Sequence, residues 1–250
     1  MEKRAYIICA TPRSGTTLLT DLLSDTGVAG CPDSFFRVPS FPAWADYLGV
    51  SRDSWPNETA FDRAYLEAVR QAGRAKTTIF GMRLMEESRD DLCAGLAQLY
   101  PGVVGDKALL LAAFGAVDFI HLVRQDKLAQ AISLSRAEQS GLWHVDSDGA
   151  ERERLAPAKT AVFNFEELAR NIEDYKQQEA SWVGWFADEQ IQPLKITYED
   201  LSQDPIEVVR VILEQLDLDP GAANKLKPRT KKLADAESLE WARRFNASST

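Results

Sequence analysis

Between Tyr6 and Thr26 the hydrophobic period of the chain changes within a few residues, and that change dictates a strand, a tight loop and a helix folded back on the strand. Tyr6 to Ala10 is an apolar run too short for a helix, whereas Leu18, Leu19, Leu22 and Leu23 recur at helical spacing. Thr11-Pro12-Arg13-Ser14-Gly15-Thr16-Thr17 joins the two. Pro12 ends the strand ladder because it has no N–H to donate, and Gly15 lets a ligand approach the backbone closely. The first turn of the helix offers unpaired N–H groups and about half a positive charge. With the guanidinium of Arg13, the Ser14 position and the hydroxyls of Thr16 and Thr17, the loop is expected to bind a phosphate-like anion. The nucleotide pattern G-x-x-x-x-G-K-[ST] is not met, since no Gly-Lys pair is present and Arg13 precedes the loop's one glycine.

A second strand-to-helix unit follows downstream. Asp118 to Val123 is largely apolar and runs into Arg124, and after Gln125 and Asp126 the run Lys127 to Ala137 is helical. Asp126 is placed to cap this helix, with Leu128, Ala131 and Ile132 as its buried stripe. Ser133, nine residues after Arg124, lies where it can face the strand end. A short strand, Leu194 to Thr197, leads into Tyr198-Glu199-Asp200-Leu201 and Asp204-Pro205, then a helix with Ile206, Val209, Ile212, Leu213 and Leu216 on one face. Lys225, Lys227, Arg229, Lys231 and Lys232 place five cations in eight residues of an otherwise acidic chain.

The loop Thr11 to Thr17 resembles the 5′-phosphosulfate loop of sulfotransferases that use 3′-phosphoadenosine-5′-phosphosulfate (PAPS), and the downstream blocks fall in that family's order. The closest resemblance is to bacterial trehalose 2-sulfotransferases and lipopolysaccharide sulfotransferases. It is carried by Thr26-Gly27-Val28-Ala29-Gly30 with Phe35-Phe36, by Phe80-Gly81-Met82-Arg83-Leu84-Met85, by Gln130-Ala131-Ile132-Ser133 with Arg136-Ala137, and by Leu233-Ala234-Asp235 and Glu240-Trp241 through Arg244. The resemblance implies an α/β fold, a P-loop-like three-layer sandwich with a central parallel sheet flanked by helices. It implies sulfuryl transfer from PAPS, without a metal, to a hydroxyl of a carbohydrate or glycolipid. It assigns the 3′-phosphate to Arg124 and Ser133, and closure over the adenosine to the late basic segment with Lys231 and Lys232. Arg13 and the first helix N-terminus then supply fixed positive potential where the S–O bond breaks.

One departure bears on mechanism. Where that family carries a Glu before the Phe-Phe pair as general base, this chain has Ser34, whose hydroxyl is no base near neutral pH. Asp33 and His144 are the substitutes, and the sequence does not choose between them. A protein that kept the nucleotide site and lost the base is the alternative; a small-molecule kinase is another, disfavoured by the missing loop Lys and by Arg124 at the second strand end.

A length of 250 residues and 45% hydrophobic content suit one domain with a continuous core. The nucleotide parts are expected at 1–30, 115–137 and 194–245, with acceptor-side loops at 31–65 and 138–163. Residues 31–65 hold Phe35, Phe36, Phe41, Trp44, Tyr47, Trp55, Phe61 and Tyr65 among prolines, which reads either as a sugar-stacking surface or as a local core. Residues 138–163 read as a mobile flap. Asn164 to Phe186 reads as a long amphipathic helix with Phe165, Leu168, Ile172, Tyr175, Trp182, Val183 and Phe186 on one face, which suits core, while the resemblance implies that such a helix can also make a homodimer contact. A formal net charge of −9 argues against nucleic acid as partner. No run reaches the length of a membrane span and the first residues enter a strand, so the cytoplasm, where PAPS is made, is the expected location. Three scattered cysteines and two histidines fit neither a disulfide framework nor a zinc site.

Overall fold

The computed structural model describes residues 4–37, 40–51, 58–145, 150–227 and 236–248, without the side chains of residues 58–61 and 145. Its centre is β1 (Arg4–Ala10), in which every residue from Ala5 to Ala10 is fully buried. Successive residues of a strand point to opposite faces, so Tyr6, Ile8 and Ala10 enter one apolar cluster and Ala5, Ile7 and Cys9 another. A strand buried on both faces belongs inside a parallel sheet. The strands β2 (Ile79–Met85) and β3 (Ala116–Val123) flank it, and β6 (Leu194–Thr197) pairs with β3, all parallel, in the order β2-β1-β3-β6.

The two faces are covered by different helices. α1 (Thr16–Asp25) and α9 (Pro205–Gln215) pack on the Tyr6 face through Leu19, Leu22, Leu23, Val209 and Ile212. α3 (Glu58–Arg74), α4 (Arg89–Leu99), α5 (Asp106–Phe114) and α7 (Phe165–Asp188) cover the Ile7 face. The expected three-layer α/β sandwich is the observed fold. α6 (Lys127–Ser140) leaves the end of β3, capped by Asp126, whose Oδ1 accepts the Ala129 N–H at 2.8 Å. It packs with α7 and α10 (Ala236–Ser248) around Ala131, Ile132, Tyr175 and Trp241.

Because the strands are parallel, their C-terminal ends share one edge of the sheet. The order reverses about β1, with β2 on one side and β3 on the other, and this divergence opens a crevice there. Trp182 of α7 braces it from behind, its indole N–H donating to the carbonyl of Ala10, the last residue of β1, at 3.1 Å.

In three regions the structure decides or refines the sequence reading. Residues 31–65 contain α2 (Phe41–Tyr47) and the start of α3, and Phe35, Phe36, Phe41, Trp44 and Tyr65 pack into the core, so these aromatics form a local core instead of a loop surface. Tyr47 alone of those described is well exposed, and Trp55 and the Phe61 side chain lie outside the described residues. Residues 138–163, read as a flap, contain an antiparallel hairpin of β4 (Leu142–Val145) and β5 (Glu151–Arg154), which Arg152 ties to Asp21 of α1 by an ion pair. In α7, Val183 is exposed while Leu168, Tyr175, Trp182 and Phe186 are buried; its neighbour Trp182 already fills the inward position.

Candidate functional site

The loop after β1 has the geometry that an anion needs. Gly15 occupies the N-cap of α1 with φ 88° and brings no side chain to the first-turn N–H groups. A Cβ at this position would lie 2.6 Å from Cδ2 of Tyr198, so both the left-handed backbone and the packing require glycine. Arg13 also takes a left-handed conformation, φ 62°, a strain that such loops hold at functional sites. The Ser14 hydroxyl is buried and donates to the Thr11 carbonyl at 2.8 Å, closing the loop on itself. Ser14 therefore has its backbone N–H, not its hydroxyl, to offer a ligand.

Two guanidiniums meet on the β3 side of this loop. Arg124, 6% exposed, donates from Nη1 to the Arg13 carbonyl at 3.0 Å and stacks 4.4 Å from the centre of the Tyr198 ring. Its Nε is buried with no hydrogen-bond partner among the described residues. Arg13 donates from Nε to Ser133 Oγ at 3.0 Å and from Nη1 to the Trp143 carbonyl at 2.9 Å. Burial lowers both pKa values, and proximity to Arg124 adds to the lowering at Arg13. Among the described residues, every hydrogen-bond acceptor that these two cations reach is neutral.

A third guanidinium stands on the β2 side. Arg83 donates from Nε to Ser34 Oγ at 2.6 Å, from Nη2 to Asp33 Oδ1 at 3.2 Å, and from Nη1 to the Thr16 and Thr17 hydroxyls, both at 3.3 Å. Burial lowers its pKa, against which Asp33 and then Glu153 act. Asp33 Oδ1 also accepts the Ser34 N–H at 2.7 Å. His144, on β4, brings Nε2 to 3.2 Å from Thr17 Oγ1 and 3.4 Å from Glu153 Oε2 of β5. Burial, reinforced by Arg13 and Arg83, pulls the imidazole down to about 3, so it is neutral at pH 7.

One cavity of about 1070 Å³ joins the two sides, with Arg13, Arg124 and Ser133 on one wall and Arg83, His144 and Glu153 on the other. The sequence expected Arg13 beside Thr16 and Thr17; the structure turns it to Ser133 and puts Arg83 in that place. Asp33 does not line the cavity. Lys231 and Lys232 lie outside the described residues. Sequence reasoning gave no role to Arg83, Tyr198 or Glu153. For Arg83 a signal existed, a lone charge in the apolar strand Ile79–Met85; Glu153 lies within residues 138–163, which the sequence reads as a mobile flap. Among the described residues no group of three or more His, Cys, Asp or Glu is placed to hold a metal ion, and no helix is long and apolar enough to cross a membrane.

A parallel α/β sheet with an arginine-rich, helix-capped cavity at its C-terminal edge defines a protein that handles a polyanionic group. The family model Stf0 sulphotransferase matches residues 5–248. The trehalose 2-sulfotransferase of Mycobacterium tuberculosis (strain ATCC 35801 / TMC 107 / Erdman) is 31% identical across 98% of this chain and 95% of its own length. That of Mycolicibacterium smegmatis (strain ATCC 700084 / mc(2)155) is 30% identical across 96% of this chain and 94% of its own. Among solved structures, the sulfotransferase domain of the Synechococcus PCC 7002 olefin synthase is similar over 97% of this chain and 94% of its own, with TM-score 0.47 at 18% identity. The chain belongs to the Stf0 sulphotransferase family and is an enzyme that transfers sulfate.

Proposed function

We propose that the donor is PAPS and that the acceptor is a carbohydrate hydroxyl, with trehalose, named for both mycobacterial relatives, as the first acceptor to test. The observation that carries the donor assignment is the pair of buried guanidiniums, Arg13 and Arg124, whose hydrogen-bond acceptors are all neutral and one of whose nitrogens has no partner. Buried cations without a hydrogen-bonded counter-charge are costly, and an anionic nucleotide supplies that partner.

In this reading PAPS, when bound, supplies a sulfuryl group activated by a phosphate leaving group. Arg124, Ser133 and Arg13 hold the 3′-phosphate, with Lys231 and Lys232 as further cations. The backbone N–H groups from Ser14 to Thr17, the two threonine hydroxyls and Arg83 hold the phosphosulfate end. Arg83 places positive charge where the leaving oxygen gains electrons, the larger electrostatic part of catalysis. Asp33, engaged by Arg83, orients that guanidinium. The same reading puts the enzyme in the cytoplasm, where the donor is made.

The test is incubation of the purified chain with sulfur-labelled PAPS and trehalose, followed by separation of the labelled sugar. Label on the disaccharide supports both assignments. Label released to other sugars alone overturns trehalose, and a chain that neither binds the nucleotide nor moves label overturns the donor.

A further inference from the structure

The geometry points to Glu153, on β5 of the hairpin, as the group that takes the proton from the acceptor hydroxyl. This rests on the sulfuryl-transfer reading above and adds the catalytic base to it. Four carboxylates line the cavity: Asp126, Glu153, Glu199 and Glu237. Three are committed elsewhere. Asp126 caps α6 through the Ala129 N–H, both oxygens of Glu199 accept the Gln125 N–H at 3.1 and 3.2 Å, and Glu237 pairs with Arg136 at 2.8 Å. Asp33, outside the lining, is held by Arg83 and the Ser34 N–H, and Asp21 is paired with Arg152. Glu153 alone has its carboxylate beside the transfer point, Oε2 3.4 Å from His144 Nε2, which is itself 3.2 Å from the Thr17 hydroxyl.

The surroundings fit the task. Arg13 from the loop and Arg83 from β2 both feel the charge of Glu153, and all three line the one cavity. His144 from β4 is neutral and faces Arg152 and Asp21 as well as Arg13 and Arg83. The Arg152–Asp21 ion pair ties β5 to α1 and fixes the distance from Glu153 to the loop. The side chain is 46% exposed, which leaves it open to an arriving sugar and to water for release of the proton. In the step, the acceptor O–H proton passes to a Glu153 oxygen, the freed electron pair forms the new O–S bond, and the S–O bond to the donor phosphate breaks with its pair leaving on the nucleotide. Glu153 then returns its proton to solvent.

The experiment compares wild type with Glu153→Gln and Glu153→Asp, after checking that thermal midpoints agree. Release of 3′,5′-phosphoadenosine from PAPS is followed with trehalose and with water alone as acceptor, against pH, and nucleotide affinity is measured separately. Glu153→Gln should lower kcat about 10²- to 10⁴-fold, the range of general-base catalysis, and remove the acid limb of the pH profile. Nucleotide affinity should be unchanged, and Glu153→Asp should recover part of the rate. Nitrogen NMR of the apo protein, which has two histidines, should show one imidazole shifted by Glu153→Gln and the other not. Turnover within threefold of wild type, a loss confined to nucleotide affinity, or an unmoved imidazole overturns the assignment. A wild-type chain that binds nucleotide yet releases none also overturns it while leaving the donor site standing; failure to bind the nucleotide overturns the earlier reading instead.

Discussion

The two walls of the cavity solve opposite electrostatic problems. On the β3 wall, Arg13 and Arg124 are buried against carbonyls, a hydroxyl and an aromatic ring, and the carboxylates that act on them, Glu153 on Arg13 and Asp126 and Glu199 on Arg124, make no hydrogen bond to them among the described residues, so that place is left for a ligand. On the β2 wall, Arg83 is met by Asp33 and Ser34, so its charge is paired before anything binds, and Glu153 stands beside the neutral His144. An uncompensated wall suits holding a permanent polyanion. A compensated wall suits a place where a proton must move and charge must appear only during reaction.

That contrast is broken most readily from the β2 side. Arg83→Ala should cost about 10²- to 10³-fold in turnover, the usual loss for one preorganised donor at a developing charge, with nucleotide affinity nearly intact. Steady-state kinetics beside nucleotide titration separates the two quantities, and a loss mainly in affinity would erase the distinction between the walls. Ser133→Ala should do the reverse on a smaller scale. It removes the Arg13 partner at 3.0 Å, so nucleotide affinity should drop by about tenfold, as for one hydrogen bond to a charged group, with kcat little changed.

The smallest effect concerns pH. Burial holds His144 at about 3 and His121 at about 4, against about 6.5 in the unfolded chain. Below about 6.5 the unfolded chain binds the protons that the fold excludes, so stability falls as pH drops from there toward 4 and 3; above 6.5 this penalty is absent. Urea midpoints should decline between pH 7 and 5, and His144→Gln should flatten that decline. An unchanged slope would mean that His144 is open to protonation within the fold.

The β3 wall was legible in the sequence because its parts are local. Arg13, Gly15, Thr16 and Thr17 sit in one loop between two clear hydrophobic periods, and Arg124, Asp126 and Ser133 follow one strand into one helix. The β2 wall was legible only in part, through Asp33, Ser34 and His144 but not Arg83 or Glu153. It is assembled from Asp33 and Ser34, from Arg83, and from His144 and Glu153, three separate segments that only the sheet order and the hairpin bring together. The charges of Glu151-Arg152-Glu153-Arg154 read only as part of a mobile flap because partners such as Asp21 and His144 lie in other elements. The aromatic segment was legible only as two readings: composition does not separate a stacking surface from a local core, and the packing of Phe35, Trp44 and Tyr65 in one cluster with Phe80 and Phe114 selects the core.

The most direct test of the uncompensated wall is thermal unfolding of wild type and Arg124→Ala with 3′,5′-phosphoadenosine, with ATP plus magnesium, and with neither. A ligand at 100 times its Kd adds about 2.7 kcal/mol, or roughly 5–10 °C for a chain of this size. The account predicts that shift for wild type with 3′,5′-phosphoadenosine, little with ATP and magnesium, and most of it lost in Arg124→Ala. An equal shift in the variant, or a shift only with ATP and magnesium, would contradict it.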